Sequence, residues 1–298
     1  MSDGLIPAAP GALPAKDIGR LLLSCADRPG LVAAVSSFLS GAGANIISLD
    51  QHSTAQTGGM FMQRTIFHLT GLAAARDGIE QEFREQVATR FDMDFRLSEA
   101  AKPKRVAILA SREDHCLLDL LWRNRRGELA MSVVMVISNH ADLADQVRPF
   151  GVPFLHVPAH REIRAEAETR QLDLLRGNVD LVVLARYMQV LTSRFLHDVG
   201  CPLINIHHSF LPAFVGEAPY RKAKERGVKL VGATAHYVTE ELDEGPIIEQ
   251  DVVRVDHRHS VEDLRRLGAD VERVVLARAV EWHCEDRVIT HGNQTVVL

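Results

Sequence analysis

Three segments, residues 106–110, 132–138 and 181–185, are almost unbroken apolar runs, and they constrain the fold more than any other feature. Successive side chains of a strand point to opposite faces, so a strand with one wet face alternates polar and apolar residues. A strand apolar on both faces must be covered on both, the condition of a parallel sheet between helical layers. Helical spacing fills the intervals, at 114–126, 142–150 and 161–176. Further strands are predicted at 202–207 and 229–239. A long helix is predicted at 260–282, where Leu264, Leu267, Val271, Val274 and Val275 form one apolar stripe. Residues 105–298 therefore read as an α/β, Rossmann-like domain with a mostly parallel sheet.

The preceding residues follow another pattern. Residues 20–25 form a short apolar strand, and Asp27-Arg28-Pro29-Gly30 is a turn that opens a helix. Leu31, Val32, Val35, Phe38 and Leu39 repeat there at helical spacing, and Gly41-Ala42-Gly43 ends it. Strands follow at 45–50 and, after Gly58-Gly59, at 60–69. Ile79, Phe83 and Val87, spaced by four, mark a second helix. Phe91, Met93, Phe95 and Leu97 alternate with polar residues and predict a last strand with one buried face. The order βαββαβ is the ferredoxin-like α+β plan, assigned to residues 18–98. Residues 99–104, with Pro103, read as a linker. Residues 1–17, rich in Ala, Pro and Gly, read as a flexible lead-in rather than a signal peptide.

A chain of 298 residues has room for two such domains, and 46% hydrophobic residues supply a core for each. The net charge of −5, from 34 basic and 39 acidic residues, lacks the basic footprint of a nucleic-acid binder. No apolar run reaches the length of a bilayer span, so no membrane partner is expected. Cys25, Cys116, Cys201 and Cys284 lie far apart with no CxxC pair, which predicts free thiols in a reducing, cytoplasmic setting.

The densest chemical signal is Ile204-Asn205-Ile206-His207-His208-Ser209-Phe210-Leu211-Pro212. Positions i and i+2 of a strand share a face, so Asn205 and His207 point the same way. Pro212 closes the segment, which puts the pair near the carboxyl end of a parallel strand, where doubly wound sheets bind ligands. A second cluster, Thr234-Ala235-His236-Tyr237-Val238-Thr239-Glu240-Glu241-Leu242-Asp243-Glu244-Gly245-Pro246, is a strand running into an acidic loop. An Asn, a His and an Asp together suit acyl transfer from an amide. The Asn NH2 and a protonated His donate to a developing oxyanion, and the Asp orients water or shuttles its proton. His207, His208, His236 and Asp243 would also offer ligands to a metal. No HExxH-like spacing accompanies them, and the Asn-x-His pair already supplies an oxyanion site, so no metal is assigned.

Leu184-Ala185-Arg186-Tyr187-Met188-Gln189-Val190-Leu191, then Asn205-Ile206-His207, then Leu242-Asp243-Glu244-Gly245-Pro246 resemble the three signatures of the folate-dependent formyltransferase family. The wider strings 204–220 and 232–250 resemble its formyltetrahydrofolate deformylase branch. There His-His, as in His207-His208, replaces the His-Pro of glycinamide ribonucleotide formyltransferases. The first half resembles an ACT domain, with Asp27, Arg28, Pro29, Gly30 and Leu31 at its effector-loop position. The resemblance covers residues 18–298 in the right order.

It implies Asn205, His207 and Asp243 as the catalytic trio; beside them, with water as acceptor, His208 is expected to position water or the formyl oxygen and His236 to hydrogen-bond the Asp243 loop. It implies that Arg186, Tyr187, Met188, Gln189, Val190 and Leu191, with Val238, Thr239, Glu240, Glu241 and Leu242, line the pterin pocket. The reaction implied is hydrolysis of 10-formyltetrahydrofolate, with water as co-substrate and no cofactor, serving the one-carbon folate pool and purine synthesis. An amino-acid effector such as glycine or methionine, and a homodimer or homotetramer, are implied by the ACT domain.

Two alternatives are weighed. An amino-acid sensor would need only the first domain, whereas the second keeps every expected catalytic position. A transferase must hold a phosphorylated amine, and in the ribonucleotide transferase the first strand-to-helix turn is Gly-rich, so that backbone N–H groups cradle phosphate. Here that turn is Ser111-Arg112-Glu113-Asp114-His115, with no Gly and two carboxylates, so water is the expected acceptor.

Overall fold

The structure, a computed structural model, describes residues 15–160, 162–212 and 219–298. The expected flexible lead-in lies, through residue 14, outside the described residues, as does part of the string 204–220. The chain divides into two compact units with the boundary between Lys102 and Pro103.

In the first unit β1 (Ile18–Ala26), α1 (Leu31–Gly41), β2 (Asn45–Ser53), β3 (Met60–His68), α2 (Leu72–Phe83) and β4 (Asp94–Glu99) follow the ferredoxin-like order, and the antiparallel sheet runs β2-β3-β1-β4. One departure from expectation concerns the last strand. The second helix does not stop at Val87: a wide turn (Arg84–Ala88) carries it into α3 (Thr89–Phe91). Asp92 then takes a left-handed φ of 52° and breaks it. Phe91 is buried from a helix end, not from a strand, and only Phe95 and Leu97 of the alternating set lie in β4. β4 continues to Glu99, paired with Gly19, and the next strand starts at Lys104.

The second unit contains β5 (Lys104–Ala110), α4 (His115–Arg125), β6 (Met131–Ser138), α5 (Ala144–Val147), β7 (Phe154–His156), α6 (Arg164–Leu175), β8 (Leu181–Ala185), α7 (Ser193–Asp198), β9 (Leu203–His207), α8 (Pro219–Arg226), β10 (Leu230–Tyr237), β11 (Ile247–Arg254), α9 (Val261–Cys284) and a terminal hairpin, β12 (Val288–His291) and β13 (Gln294–Val297). The seven-stranded sheet runs β11-β10-β9-β8-β5-β6-β7. Pairings from β7 through β9 are parallel, and β10 is antiparallel to both neighbours.

The unbroken apolar runs are explained by two cores. Val106, Ile108, Val183 and Ile204 face α4 and α9, whereas Ala107, Leu109, Val182 and Leu203 face α6 and α7. Ile108 and Leu109 are fully buried, and each such side chain contributes roughly 2 kcal/mol. In α9 the helix is started by a reciprocal cap between Ser260 and Asp263. Its buried positions include Leu264, Gly268, Glu272, Val275 and Leu276, so the predicted stripe is rotated and contains a carboxylate. Strands beyond those expected are β7, whose three residues are too few to carry a period, β11, an edge strand of mixed burial, and the short terminal hairpin of β12 and β13.

Candidate active site

The chain order reverses between β5 and β8: β6 and β7 extend the sheet one way from β5, while β8, β9 and β10 extend it the other. Such a switch point leaves a crevice at the carboxyl ends of the strands. Asn205 and His207 end β9 there, paired across to His236 and Thr234 of β10. Ile204 and Ile206 point into the core on the opposite face, which explains why Asn205 and His207 share theirs.

Asp243 joins them from the loop after β10. His207 Nδ1 lies 3.2 Å from Asp243 Oδ2, and His236 Nε2 lies 3.7 Å from Asp243 Oδ1. The hydrogen bond from His207, with His236 close by, holds the Asp243 carboxyl well below the usual carboxylate range. Asp243 has a left-handed φ of 59°, and the loop is pinned by Gly245, where a Cβ would stand 1.8 Å from the Tyr237 carbonyl oxygen. His236 Nδ1 lies 2.9 Å from the Tyr237 carbonyl, which only accepts, so Nδ1 carries the hydrogen. In that tautomer Nε2 accepts from Asn205 Nδ2 at 3.2 Å. His236 thus orients the Asn205 amide at hydrogen-bond distance, a more direct contact than the one expected with Asp243. His207 Nε2 is buried and has no hydrogen-bond partner among the described residues.

A cavity of about 540 Å³ opens beside this group. It is lined by Arg186, Tyr187, Met188, Gln189, Val190 and Leu191, by Val238, Thr239, Glu240 and Leu242, and by Asn205, His207, His208, His236 and Asp243. Glu241, expected with them, is not in the lining: it is exposed, and its carbonyl accepts from Thr239 Oγ1. Met188, Val190 and Leu242 are more than half exposed, an apolar rim that suits a flat ring system.

The loop after β8 is held by groups that sequence reading missed. The Met188 N–H donates to Ser111 Oγ (2.9 Å), which donates to Asn139 Oδ1 (2.7 Å). Gln171 Nε2 donates to Tyr187 Oη, and Arg164 donates to the Val190 carbonyl. Glu168 accepts from the Thr192 N–H and hydroxyl, and Thr192 in turn caps α7. Of these, Glu168 and Gln171 are polar residues on the buried face of α6, beside Ala167, Leu172 and Leu175.

Glu272 of α9 is the other omission. Its carboxylate meets His115 Nε2 and Tyr220 Oη, each at 2.8 Å, and Arg186 Nε at 3.4 Å. Burial raises its pKa, but the His115 hydrogen bond and the Arg186 charge outweigh this and hold it below the ordinary value. His208 stacks on His207 with ring centroids 5.1 Å apart and lies 6.3 Å from the Tyr220 ring. Burial, helped by the Arg186 charge, lowers the His208 pKa to about 4, so the ring is neutral near pH 7.

His115, Cys116 and Glu272 bring one donor each within 4.8 Å, the one such trio among the described residues. Burial pushes the Cys116 thiol up, which keeps it protonated, and the Arg186 guanidinium faces the same carboxylate. Both features oppose a bound cation. All four cysteines are free, and no helix among the described residues is long and apolar enough to cross a membrane.

In the first unit Asp27, Arg28, Pro29 and Gly30 form the turn before α1, with Gly30 at a φ of 94°. Arg28 donates to the Arg90 carbonyl and stacks over Phe91. Leu31 is buried in the unit's core, so it offers a ligand only its backbone.

Comparison with known proteins matches residues 104–280 to the family described as formyl transferase and residues 19–80 to the ACT domain. The chain is 74% identical over 281 residues to the formyltetrahydrofolate deformylase of Mycobacterium tuberculosis (strain ATCC 25618 / H37Rv), covering 94% of this chain and 91% of that one. It superposes on the crystal structure of a formyltetrahydrofolate deformylase from Pseudomonas syringae pv. tomato str. DC3000 with a TM-score of 0.90 at 47% identity, covering 94% of each. A glycinamide ribonucleotide transformylase from Symbiobacterium toebii matches 66% of this chain and 94% of its own length, with a TM-score of 0.62 and 36% identity.

Proposed function

Because the chain belongs to the formyltetrahydrofolate deformylase family, we propose that it hydrolyses 10-formyltetrahydrofolate to formate and tetrahydrofolate at the Asn205–His207–Asp243 site. The supporting observation is the state of His207. Its Nδ1 faces an ionised Asp243, and its Nε2 is buried without a protein partner. A buried polar atom left unpaired is costly unless a substrate completes it. Nε2 therefore meets the reacting group.

The pterin lies in the 540 Å³ cavity and brings the formyl carbon to the trio. Water attacks the formyl carbon, and a C–O bond forms. One water proton passes to His207 Nε2, and the nearby Asp243 carboxylate stabilises the imidazolium. Asn205 Nδ2 donates its second N–H to the oxyanion. The C–N10 bond then breaks, and His207 returns the proton to N10. No metal or cofactor enters these steps.

The proposed division of labour assigns catalysis to residues 105–298 and regulation to 18–98, joined by 99–104. Glycine or methionine would bind at the turn 27–30, where the α1 N-terminus and Gly30 suit a carboxylate, and a dimer or tetramer would form through this domain. The setting proposed is cytoplasmic. Formate release from 10-formyltetrahydrofolate, measured with no acceptor and with each amino acid added, tests both parts. Absence of formate removes the hydrolytic reading, and an unchanged rate with every amino acid removes the regulatory one.

A further inference from the structure

We infer that the Arg186–Glu272–His115–Tyr220 network is a specificity device: it fills the side of the formyl site opposite the pterin cavity and leaves room for water but not for an amine. The inference rests on the hydrolytic reading and concerns which nucleophile reaches the carbon.

Asn205 and His207 face the layer of α6 and α7, and the cavity walls Leu184, Tyr187, Leu191 and Val238 belong to that core. The other approach to the strand ends runs over the α4 and α9 layer, past the turn 111–115 and His208. Four side chains converge there. Arg186 would continue the face of Val182 and Leu184 if β8 ran on. With its left-handed φ of 59°, Arg186 lines the cavity and also forms an ion pair with Glu272, its Nε 3.4 Å from the carboxylate and without a hydrogen bond of its own. Left-handed backbone is costly for a side-chain-bearing residue, so something must hold it. Glu272, 2% exposed, is that anchor, and His115 and Tyr220 fix its two oxygens. Space for Tyr220 is made by Gly268, one helical turn before Glu272, where a Cβ would stand 1.9 Å from the Tyr220 oxygen.

The network also accounts for the turn 111–115. Ser111 is committed to the Met188 N–H and His115 to Glu272, so neither is left for a phosphorylated acceptor. His208 completes the wall, stacked between His207 and Tyr220. Moving any member strands a buried charge, so the wall resists an incoming amine.

The test is product partitioning. In transfer to an amine, an N–C bond to the formyl carbon forms, the C–N10 bond breaks, and the amine's proton goes to N10. The probe is glycinamide, with N-formylglycinamide and formate quantified by mass spectrometry. Wild type should give formate alone. Arg186→Ala, which opens the wall, should raise the formamide-to-formate ratio by about tenfold or more, rising with amine concentration. Glu272→Gln, which keeps the volume but frees Arg186, should raise it less, and Arg186→Lys should remain nearer wild type than either. A ratio at the wild-type level in both Arg186→Ala and Glu272→Gln, with hydrolysis still measurable, overturns the inference. A wild type that releases no formate overturns the reading beneath it.

Discussion

The two layers that meet at the carboxyl ends of β5, β8 and β9 are finished in opposite ways. On the α6 and α7 side the chain leaves a cavity of about 540 Å³, an exposed apolar rim and a buried His207 Nε2 with no described partner. On the α4 and α9 side it drives a carboxylate to 2% exposure and surrounds it with Arg186, His115 and Tyr220. A buried polar atom without a hydrogen bond marks where a ligand completes the site, as at His207 Nε2 and at Arg186 Nε on the cavity edge, whereas the Glu272 carboxylate is hydrogen-bonded within the protein by His115 and Tyr220. A pocket and a plug are thus built from the same strand ends.

The largest expected effect breaks the open side. Asn205→Ala, His207→Ala and Asp243→Asn should each lower kcat by about a hundredfold or more, the usual loss for an oxyanion donor or proton carrier. Combined variants should lose little more than single ones, because the groups act together. Near-normal turnover of Asp243→Asn in a steady-state formate assay would show that the cavity is not where the chemistry occurs.

The closed side should break through packing. Gly268→Ala places a methyl against the Tyr220 oxygen and should cost about 3 kcal/mol in denaturant unfolding. The double variant Gly268→Ala with Tyr220→Ala should recover part of that loss, because the clash is gone. Equal stability of Gly268→Ala and wild type would mean that the plug is looser than its distances imply.

His208 lies between the two sides and sharpens the comparison through pH. Its pKa is lowered to about 4, mainly by burial and then by the Arg186 charge. Between that value and its ordinary range near 6.5 the unfolded chain binds a proton that the folded chain does not. Stability therefore falls as pH drops through this window, by about 2 kcal/mol between pH 7 and pH 5. Thermal unfolding of wild type against His208→Asn across that range should show a shallower slope in the variant. Parallel slopes would place His208 in water, outside the wall.

Much of this architecture is legible in the sequence. Unbroken apolar runs announced a sheet covered on both faces, and β9 placed Asn205 and His207 on one face by its period of two. β4 starts later than its alternation implies, because Phe91 and Met93 extend the period-two pattern backwards across a left-handed Asp92. Glu241 was included with its neighbours because sequence order alone does not say which residue of a loop turns outward. The supporting roles of Ser111, Gln171, Glu168 and Arg164 are invisible in the sequence because each acts through hydrogen bonds between elements distant along the chain.

What the sequence determined by itself was whatever depends on local period and composition: two domains, the sheet type, the strand-end location of the trio and the loop that carries Asp243. What only the tertiary structure decided was which polar groups are satisfied. Glu272 lies 86 positions from Arg186 and 157 from His115, and in a helix interior an ionised side chain is as ordinary as any other. Burial beside a left-handed arginine distinguishes it, and burial is settled by where helices pack, at separations that no periodicity reaches.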